Sequence, residues 1–200
     1  MECGIDWENI GFEIIPGSKV LCYKFADEKW DTGNFLVGSS ITLDSFATVL
    51  HYGQSCFEGL KAFRMKDGKI RLFRPKLNAE RIARSCRACS LPAPPESLFL
   101  EAVQRAVQAN IDYVPPFTSN GSMYVRPFVI GTEAQLGLNP AKTAQFLVIV
   151  NPVGDYYKGG MSTPARAVIK HGFDRAAPHG TGIYFVTKAM SSLVAITRPF

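Results

Sequence analysis

A tight turn between two alternating segments constrains the fold of this 200-residue chain more than any other sequence feature. Residues 61–65 and 69–73 alternate apolar with basic side chains, and Asp67 and Gly68 lie between them. An Asp-Gly pair in this position predicts an antiparallel β-hairpin. Pro75 follows closely and suits the first turn of a helix. The segment therefore predicts a domain that combines antiparallel sheet with helices.

The remainder of the chain continues this mixture of strands and helices. Apolar residues recur at helical spacing after Pro75 and after Glu96. The expected fold class is α+β, with a mainly antiparallel sheet and two packed helices. On the first of these helices we expect one shared face, formed by Leu77, Arg81, Ile82 and Ser85. The other predicted elements are strands at residues 20–25, 123–130, 145–150 and 165–170, and a short helix at 45–50 with Asp44 as its N-cap.

Composition and charge narrow the classes of partner. An apolar fraction of 46% and a charged fraction of 20% are typical of a globular chain. The net charge is +5, but the basic residues are scattered, which fits a small anionic ligand at least as well as a nucleic acid. The apolar stretches are too short or too polar for a membrane span. We expect neither a nucleic-acid nor a membrane partner.

Cysteine usage indicates a reducing compartment. The chain has five cysteines and no signal-peptide pattern at its N-terminus, which predicts a cytoplasmic protein with reduced thiols. Cys86 and Cys89 form a C-x-x-C pattern, but no second cysteine pair or histidine cluster completes a zinc site. We expect no metal site, and we interpret both thiols as small side chains on a helix.

Residues 51–64 have the composition of a pocket wall. They combine two glycines with aromatic and charged side chains within fourteen positions. Glycine allows a ligand to approach the backbone, aromatic rings shape an apolar slot, and cations attract an anion. The segment therefore predicts one wall of a polar ligand pocket.

Several motifs in order resemble the branched-chain amino-acid aminotransferases, which are pyridoxal-phosphate enzymes of fold type IV. The motifs are HYG at residues 51–53, FEGLKAF at 57–63, FR at 73–74, NAER at 78–81 and MYVRPF at 123–128. The resemblance covers about residues 5–184. It implies a small α+β domain over residues 1–160, the start of a second domain at 161–184 and a divergent tail at 185–200.

The resemblance also implies roles for individual residues. Arg81 matches the arginine that holds the cofactor phosphate, and we expect little competing acid near it, because a phosphate dianion needs a planar donor with free hydrogens. Arg126 matches an arginine next to the substrate acid group. Tyr124 and Arg126 alternate with apolar residues and should share one strand face. The positions that match the wall around the substrate side chain are Phe57, Gly59, Tyr124 and Tyr156.

The implied reaction is amino transfer between leucine, isoleucine or valine and 2-oxoglutarate, with pyridoxal 5'-phosphate as cofactor. A loop at Leu136, Gly137 and Leu138 resembles one that reaches the neighbouring subunit's site, which implies a homodimer. The strand segment YVRP at residues 124–127 favours this family over D-amino-acid aminotransferases and aminodeoxychorismate lyases, which stay open as alternatives.

The resemblance ends after Tyr184. In the family, a segment that matches residues 180–182 is followed by two further residues and then by the Schiff-base lysine. In this chain Phe185 stands at the position of that lysine. Lys188 lies three residues too late. We therefore expect no catalytic residue, a truncated chain whose second domain is absent, and no transaminase activity. A fragment that only folds or associates is the remaining alternative.

Overall fold

The computed structural model describes residues 4–155, 164 and 166–169. Its strands form one sheet in which every pairing is antiparallel. The strands are β1 Leu21–Ala26, β2 Lys29–Trp30, β3 Asn34–Phe35, β4 Ser55–Phe57, β5 Leu60–Arg64, β6 Ile70–Leu72, β7 Ser122–Gly131 and β8 Ala144–Val153. The helices are α1 Thr48–Tyr52, α2 Pro75–Ala88 and α3 Glu96–Ala109, followed by a 3₁₀ turn at Ile111–Tyr113.

The order of the strands is β2-β1-β8-β7-β5-β6, while β3 pairs with β1 and β4 pairs with β7. Helices α2 and α3 contact each other and pack on one face of the sheet. This arrangement confirms the expected α+β class with two packed helices. The sheet thus has a helix face, which holds the larger core, and an opposite face, which we call the open face.

The predicted hairpin is confirmed as β5–β6. Phe63 pairs with Arg71 across it. The Asp67 carboxylate accepts a hydrogen bond of 3.0 Å from the Lys69 amide, and Gly68 has a φ of 78°. A positive φ is the conformation that glycine adopts at little cost, so the Asp-Gly pair sets this turn.

The two central strands are longer than predicted. Strands β7 and β8 span ten residues each and pair along their whole length. Pro152 lies inside β8 opposite Met123. The pairing of β8 with β1 ends at Val148. Pro152 is therefore on a stretch that pairs with another strand on one side only, where a proline is tolerated.

The core on the helix face centres on Phe146. Its ring lies 6.0 Å from that of Tyr23, 6.0 Å from that of Phe99 and 6.2 Å from that of Trp30. Phe146, Tyr23 and Phe99 are fully buried. The aromatic cluster joins β1 and β8 of the sheet to α3, so it holds the two layers together.

The predicted face of α2 is correct at Ile82 and Ser85 but wrong at Leu77. Ile82 and Ser85 are buried, whereas Leu77 is 54% exposed. Ala79 is also buried, and Leu77 precedes it by two residues, which turns it roughly 200° around the helix. The face that packs on the sheet therefore excludes Leu77.

Helix α1 begins later than predicted. It covers Thr48–Tyr52, and its N-cap is Ala47. Ala47 forms a β-bridge with Ala134, which keeps it extended. The Asp44 carboxylate accepts a hydrogen bond of 2.8 Å from the Phe46 amide, so Asp44 forms a local turn instead of capping a helix. The strand predicted at 165–170 is absent from its described residues, 166–169.

Asn110 connects the end of α3 to the segment that leads into β1. Its buried side chain accepts a hydrogen bond of 2.7 Å from the Lys19 amide and donates to the carbonyls of Lys19 and Ala106, at 3.0 and 2.8 Å. We predict that Asn110→Ala lowers the free energy of unfolding by about 2 kcal/mol in urea denaturation, because buried partners lose their bonds. Asn120→Ala, at an exposed loop position, should change it by less than about 0.5 kcal/mol. Equal effects of the two substitutions would contradict this role.

The described cysteines are free thiols whose burial opposes ionisation. Cys56 and Cys86 are buried with their Sγ atoms 3.4 Å apart, and burial raises the pKa of Cys22 and of Cys89 to about 11. Within residues 4–155, 164 and 166–169, no group of three or more histidine, cysteine, aspartate or glutamate residues could hold a metal ion. In the same residues no helix is long and apolar enough to cross a membrane.

Candidate functional site

The open face of β7 carries the predicted cation. Along this strand the buried residues Met123 and Val125 point to the helix face, while Tyr124 and the exposed Arg126 point to the open face. Tyr124 and Arg126 therefore share a face, as the alternation in the sequence predicts. Lys61 pairs with Tyr124 on the neighbouring strand β5 and is also exposed, which places a second cation on this face.

Arg126 lies against two aromatic rings. Its guanidinium carbon is 5.0 Å from the centroid of the Phe57 ring and 5.2 Å from that of Tyr124. Its Nη2 also donates a hydrogen bond of 3.3 Å to the Tyr124 hydroxyl. Cation–π contact and this bond restrict the side chain while its charge remains at the surface. The arrangement presents a fixed positive charge next to apolar walls, which suits a small molecule that has both a carboxylate and an apolar part.

Gly59 permits the close approach of Tyr124. A Cβ atom added at Gly59 would lie 2.5 Å from the Tyr124 hydroxyl oxygen and 3.1 Å from two ring carbons. Gly59 lies between β4 and β5, next to Phe57 and Glu58. A side chain here would displace the Tyr124 ring and with it the support of Arg126. Glycine at this position therefore leaves the space that the Tyr124 side chain occupies.

Arg81 is not free of competing acid, and that part of the expectation is wrong. Its Nε and Nη2 donate to the two carboxylate oxygens of Glu58, each at 2.5 Å. The Glu58 side chain is fully buried, and that of Arg81 is 39% exposed. Glu58 was missed because α2 brings Arg81 to it across 23 positions of sequence. In the sequence, the only indication of a role for Glu58 was that an acidic residue stands among apolar residues and next to a glycine.

The ion pair further stabilises the protonated form of Arg81. Hydrogen bonding to Glu58 raises the pKa of Arg81 above its ordinary value, and the opposite charge of the carboxylate adds to this effect, while partial burial works against both. Arg81 is therefore a permanent cation. Within the described part of the chain its Nη1 makes no hydrogen bond, so that edge of the guanidinium can bind an anion.

A cavity of about 1030 Å³ adjoins these residues. Its walls are mostly apolar and include Phe63 and Phe117, and Lys61 supplies a cation. Gly59 and Tyr124 are the predicted substrate-wall residues that line it. Phe57, Arg81 and Arg126 lie outside this lining, so the structure does not bring all the predicted site residues into one cavity.

The remaining predicted residues divide into two sets. Leu136 and Leu138, in the predicted partner-subunit loop, are 71% and 85% exposed. The carbonyl of Leu136 accepts a hydrogen bond from the Tyr52 hydroxyl, which ties this loop to the end of α1. Tyr156, Phe185 and the boundaries predicted at 161–184 and 185–200 lie outside the described residues, apart from 164 and 166–169.

Known proteins resemble this chain in sequence and in fold. No protein-family profile matches the chain. The branched-chain-amino-acid aminotransferase of Helicobacter pylori is 42% identical over 178 residues, which are 89% of this chain and 52% of that protein. The crystal structure of the Escherichia coli branched-chain amino acid aminotransferase has a TM-score of 0.63 at 20% identity, over 86% of this chain and 52% of that one.

A third relative was crystallised with a ligand. The T.th. branched-chain amino acid aminotransferase, complexed with N-(5'-phosphopyridoxyl)-L-glutamate, has a TM-score of 0.52 at 26% identity. The match covers 70% of this chain and 41% of that one. Its sequence identity to this chain is lower than that of the Helicobacter pylori protein, so this match mainly supports the similarity in fold.

The fold is the α+β N-terminal domain of the fold type IV aminotransferases, and it carries the ion pair of Arg81 and the aromatic-bound Arg126. Within that class, the chain is homologous to the branched-chain amino-acid aminotransferases over 89% of its length. It spans about half the length of the curated relatives that it matches. The family resemblance derived from the motifs is thereby confirmed.

Proposed function

We propose that this chain supplies the small-domain wall of a branched-chain amino-acid aminotransferase site. The reaction is amino transfer between leucine, isoleucine or valine and 2-oxoglutarate, with pyridoxal 5'-phosphate as cofactor. The observation that carries the proposal is the cation of Arg126, held between Phe57 and Tyr124 beside the glycine at position 59. The names of the homologues support the choice of substrate class.

The residues present fit the cofactor. The Nη1 edge of Arg81 offers two donors at a partly exposed position, and a phosphate monoester binds such an edge through charge-assisted hydrogen bonds. When bound, pyridoxal phosphate supplies the electron sink for amino transfer. The part of this chain is to hold the phosphate and to shape the space for the substrate.

The substrate end of the wall is built for an amino acid with a branched apolar side chain. Phe57 and Tyr124 bury apolar groups, which contributes about 25 cal/mol for each Å² removed from water. Arg126 pairs with a carboxylate of the bound acid while both rings hold its guanidinium in place. These residues bind and orient the substrate. They exclude water from its side chain but do not themselves move a proton.

The proposal extends to assembly and location. The exposed leucines at 136 and 138 support a homodimer in which this loop reaches the partner's site, because exposed apolar side chains at a loop tip suit an interface. The reduced thiols at buried positions support a cytoplasmic protein.

The direct test is binding of a reduced cofactor–substrate conjugate. We expect the chain to bind N-(5'-phosphopyridoxyl)-L-leucine in isothermal titration calorimetry, and to bind it about tenfold more tightly than N-(5'-phosphopyridoxyl)-L-lysine. The apolar wall binds the leucine side chain favourably, whereas the lysine ammonium would have no partner there. Equal affinity for both conjugates, or binding of neither, would contradict the proposed function.

Gly59→Ala should weaken the substrate end of this site. The added methyl group would force the Tyr124 hydroxyl out of a position only 2.5 Å away, and the Tyr124 ring supports Arg126. We predict an approximately tenfold rise in the Kd for the leucine conjugate. Gly11→Ala, in the N-terminal segment, is the matched control, because its added Cβ would meet only the Glu13 side chain, at 3.9 Å; it should leave that Kd unchanged. If Gly59→Ala binds the conjugate as tightly as the unmodified chain, Tyr124 is not part of the wall.

A further inference from the structure

We propose that Glu58 is a positioning residue for the anion end of the site, acting through Arg81. This inference rests on the proposed function and deepens it. The Glu58 carboxylate is fully buried and accepts hydrogen bonds from three described residues. Arg81 Nε donates to Oε1 and Arg81 Nη2 to Oε2, each at 2.5 Å. Asn78 Nδ2 donates to Oε2 at 2.7 Å, and the Gly59 amide lies 3.4 Å from the same oxygen.

The geometry determines which edge of Arg81 is used. Two parallel bonds to one carboxylate lock the guanidinium plane, and they take up its Nε–Nη2 edge. The Nη1 edge is then directed away from Glu58. Arg81 and Asn78 are three residues apart on α2, so both reach Glu58 from one helix face. The helix is thereby fixed to the β4–β5 connection at the point where Arg81 projects.

The same contacts join the two ends of the wall. Asn78 donates to Glu58 and also lies 3.4 Å from the Gly59 carbonyl. Gly59 in turn contacts Tyr124, which supports Arg126. Glu58 is therefore at the junction between the cation for the phosphate and the wall for the substrate. A carboxylate is needed there because only an acceptor with two oxygens satisfies Arg81 and Asn78 together.

A buried carboxylate next to a phosphate site has two opposite possible effects. It can orient the arginine, which strengthens phosphate binding, or it can compete with the phosphate for the arginine and repel it, which weakens binding. The burial of Glu58 behind Arg81 favours orientation, since the exposed part of the ion pair belongs to the arginine. When the charge of Glu58 is removed, the first effect predicts weaker phosphate binding and the second predicts stronger phosphate binding.

The test compares pyridoxamine 5'-phosphate with pyridoxamine, so that the ratio of the two Kd values reports the phosphate contribution alone. In the unmodified chain we expect a clear preference for the phosphorylated compound. Glu58→Gln should reduce that preference about tenfold, because the guanidinium is no longer held by two parallel bonds. Pyridoxamine itself should bind within about twofold of the unmodified chain. Glu101→Gln, which removes a carboxylate from an ion pair with Arg105 on α3, is the matched control and should leave the ratio unchanged.

A double-mutant cycle shows whether Glu58 acts through Arg81. In an Arg81→Met background, Glu58→Gln should have no further effect on the ratio. Far-UV circular dichroism and urea unfolding report whether each variant folds. Glu58→Asp keeps the charge but shortens the side chain by one methylene, so it should also lose part of the preference. It serves as the second variant if Glu58→Gln does not fold.

Each outcome has a distinct meaning. The positioning role is supported if Glu58→Gln lowers the preference for the phosphorylated compound in the unmodified chain but has no such effect in the Arg81→Met background. An unchanged or increased preference in Glu58→Gln, with Arg81→Met still impaired, overturns the positioning role and leaves the proposed function standing. If the unmodified chain has no preference for phosphate, the proposed phosphate site fails, and the positioning role fails with it.

Discussion

Phe146→Ala should lower the free energy of unfolding by about 3–5 kcal/mol. The ring is fully buried and lies 6.0 to 6.2 Å from three other aromatic rings, those of Tyr23, Phe99 and Trp30. Its removal leaves a cavity where β1 and β8 meet α3, and close-packed aromatic neighbours cannot collapse fully into that space. Urea denaturation followed by tryptophan fluorescence measures the change, since Trp30 is one of those neighbours.

Phe117→Ala is the matched control for this prediction. Phe117 is exposed at the edge of the cavity, so the same truncation should change stability by less than about 1 kcal/mol. A loss below about 1.5 kcal/mol for Phe146→Ala would show that the aromatic cluster is not what joins the helices to the sheet.

Arg81→Met should remove most of the preference for a phosphorylated ligand. Methionine keeps part of the apolar stem but has no donors for an anion, and it leaves Glu58 without its main partner. We predict that the ratio of Kd values for pyridoxamine and pyridoxamine 5'-phosphate falls about 30-fold, equivalent to about 2 kcal/mol for charge-assisted hydrogen bonds. Arg105→Met, which removes an arginine from another ion pair on α3, is the control and should leave the ratio unchanged.

Two outcomes would count against the phosphate role of Arg81. The first is an unchanged ratio in a variant that remains folded. The second is an equal loss of affinity for both compounds, which would indicate a general disturbance of the site and not the loss of a phosphate partner.

Local sequence signals predicted most of the fold. The Asp67-Gly68 turn and the proline at position 75 define the hairpin and the start of α2 because turn and helix-start preferences act over a few residues. The start of α1 was displaced because Ala47 pairs with Ala134, a distant contact that the local pattern does not contain. Long-range pairing therefore overrode a local capping signal at Asp44.

The site was predictable in its parts but not in its connections. The alternation along β7 placed Tyr124 and Arg126 on one face, which follows from strand geometry. The motif resemblance selected Arg81 but not its partner. Glu58 reaches Arg81 only because α2 packs beside the β4–β5 connection, and the sequence contains no spacing from which that contact follows. The pairing of Arg81 with a buried carboxylate could therefore be found only from the structure.

We propose that two arginines bind the two ends of one ligand, with Arg81 at the phosphate and Arg126 at the carboxylate. The most direct test uses N-(5'-phosphopyridoxyl)-L-leucine with two analogues, one without the phosphate and one without the carboxylate. Calorimetry on Arg81→Met and Arg126→Met should show that the first variant loses only the preference for phosphate and the second only the preference for carboxylate. Loss of both preferences in each variant, or of neither, would contradict the account.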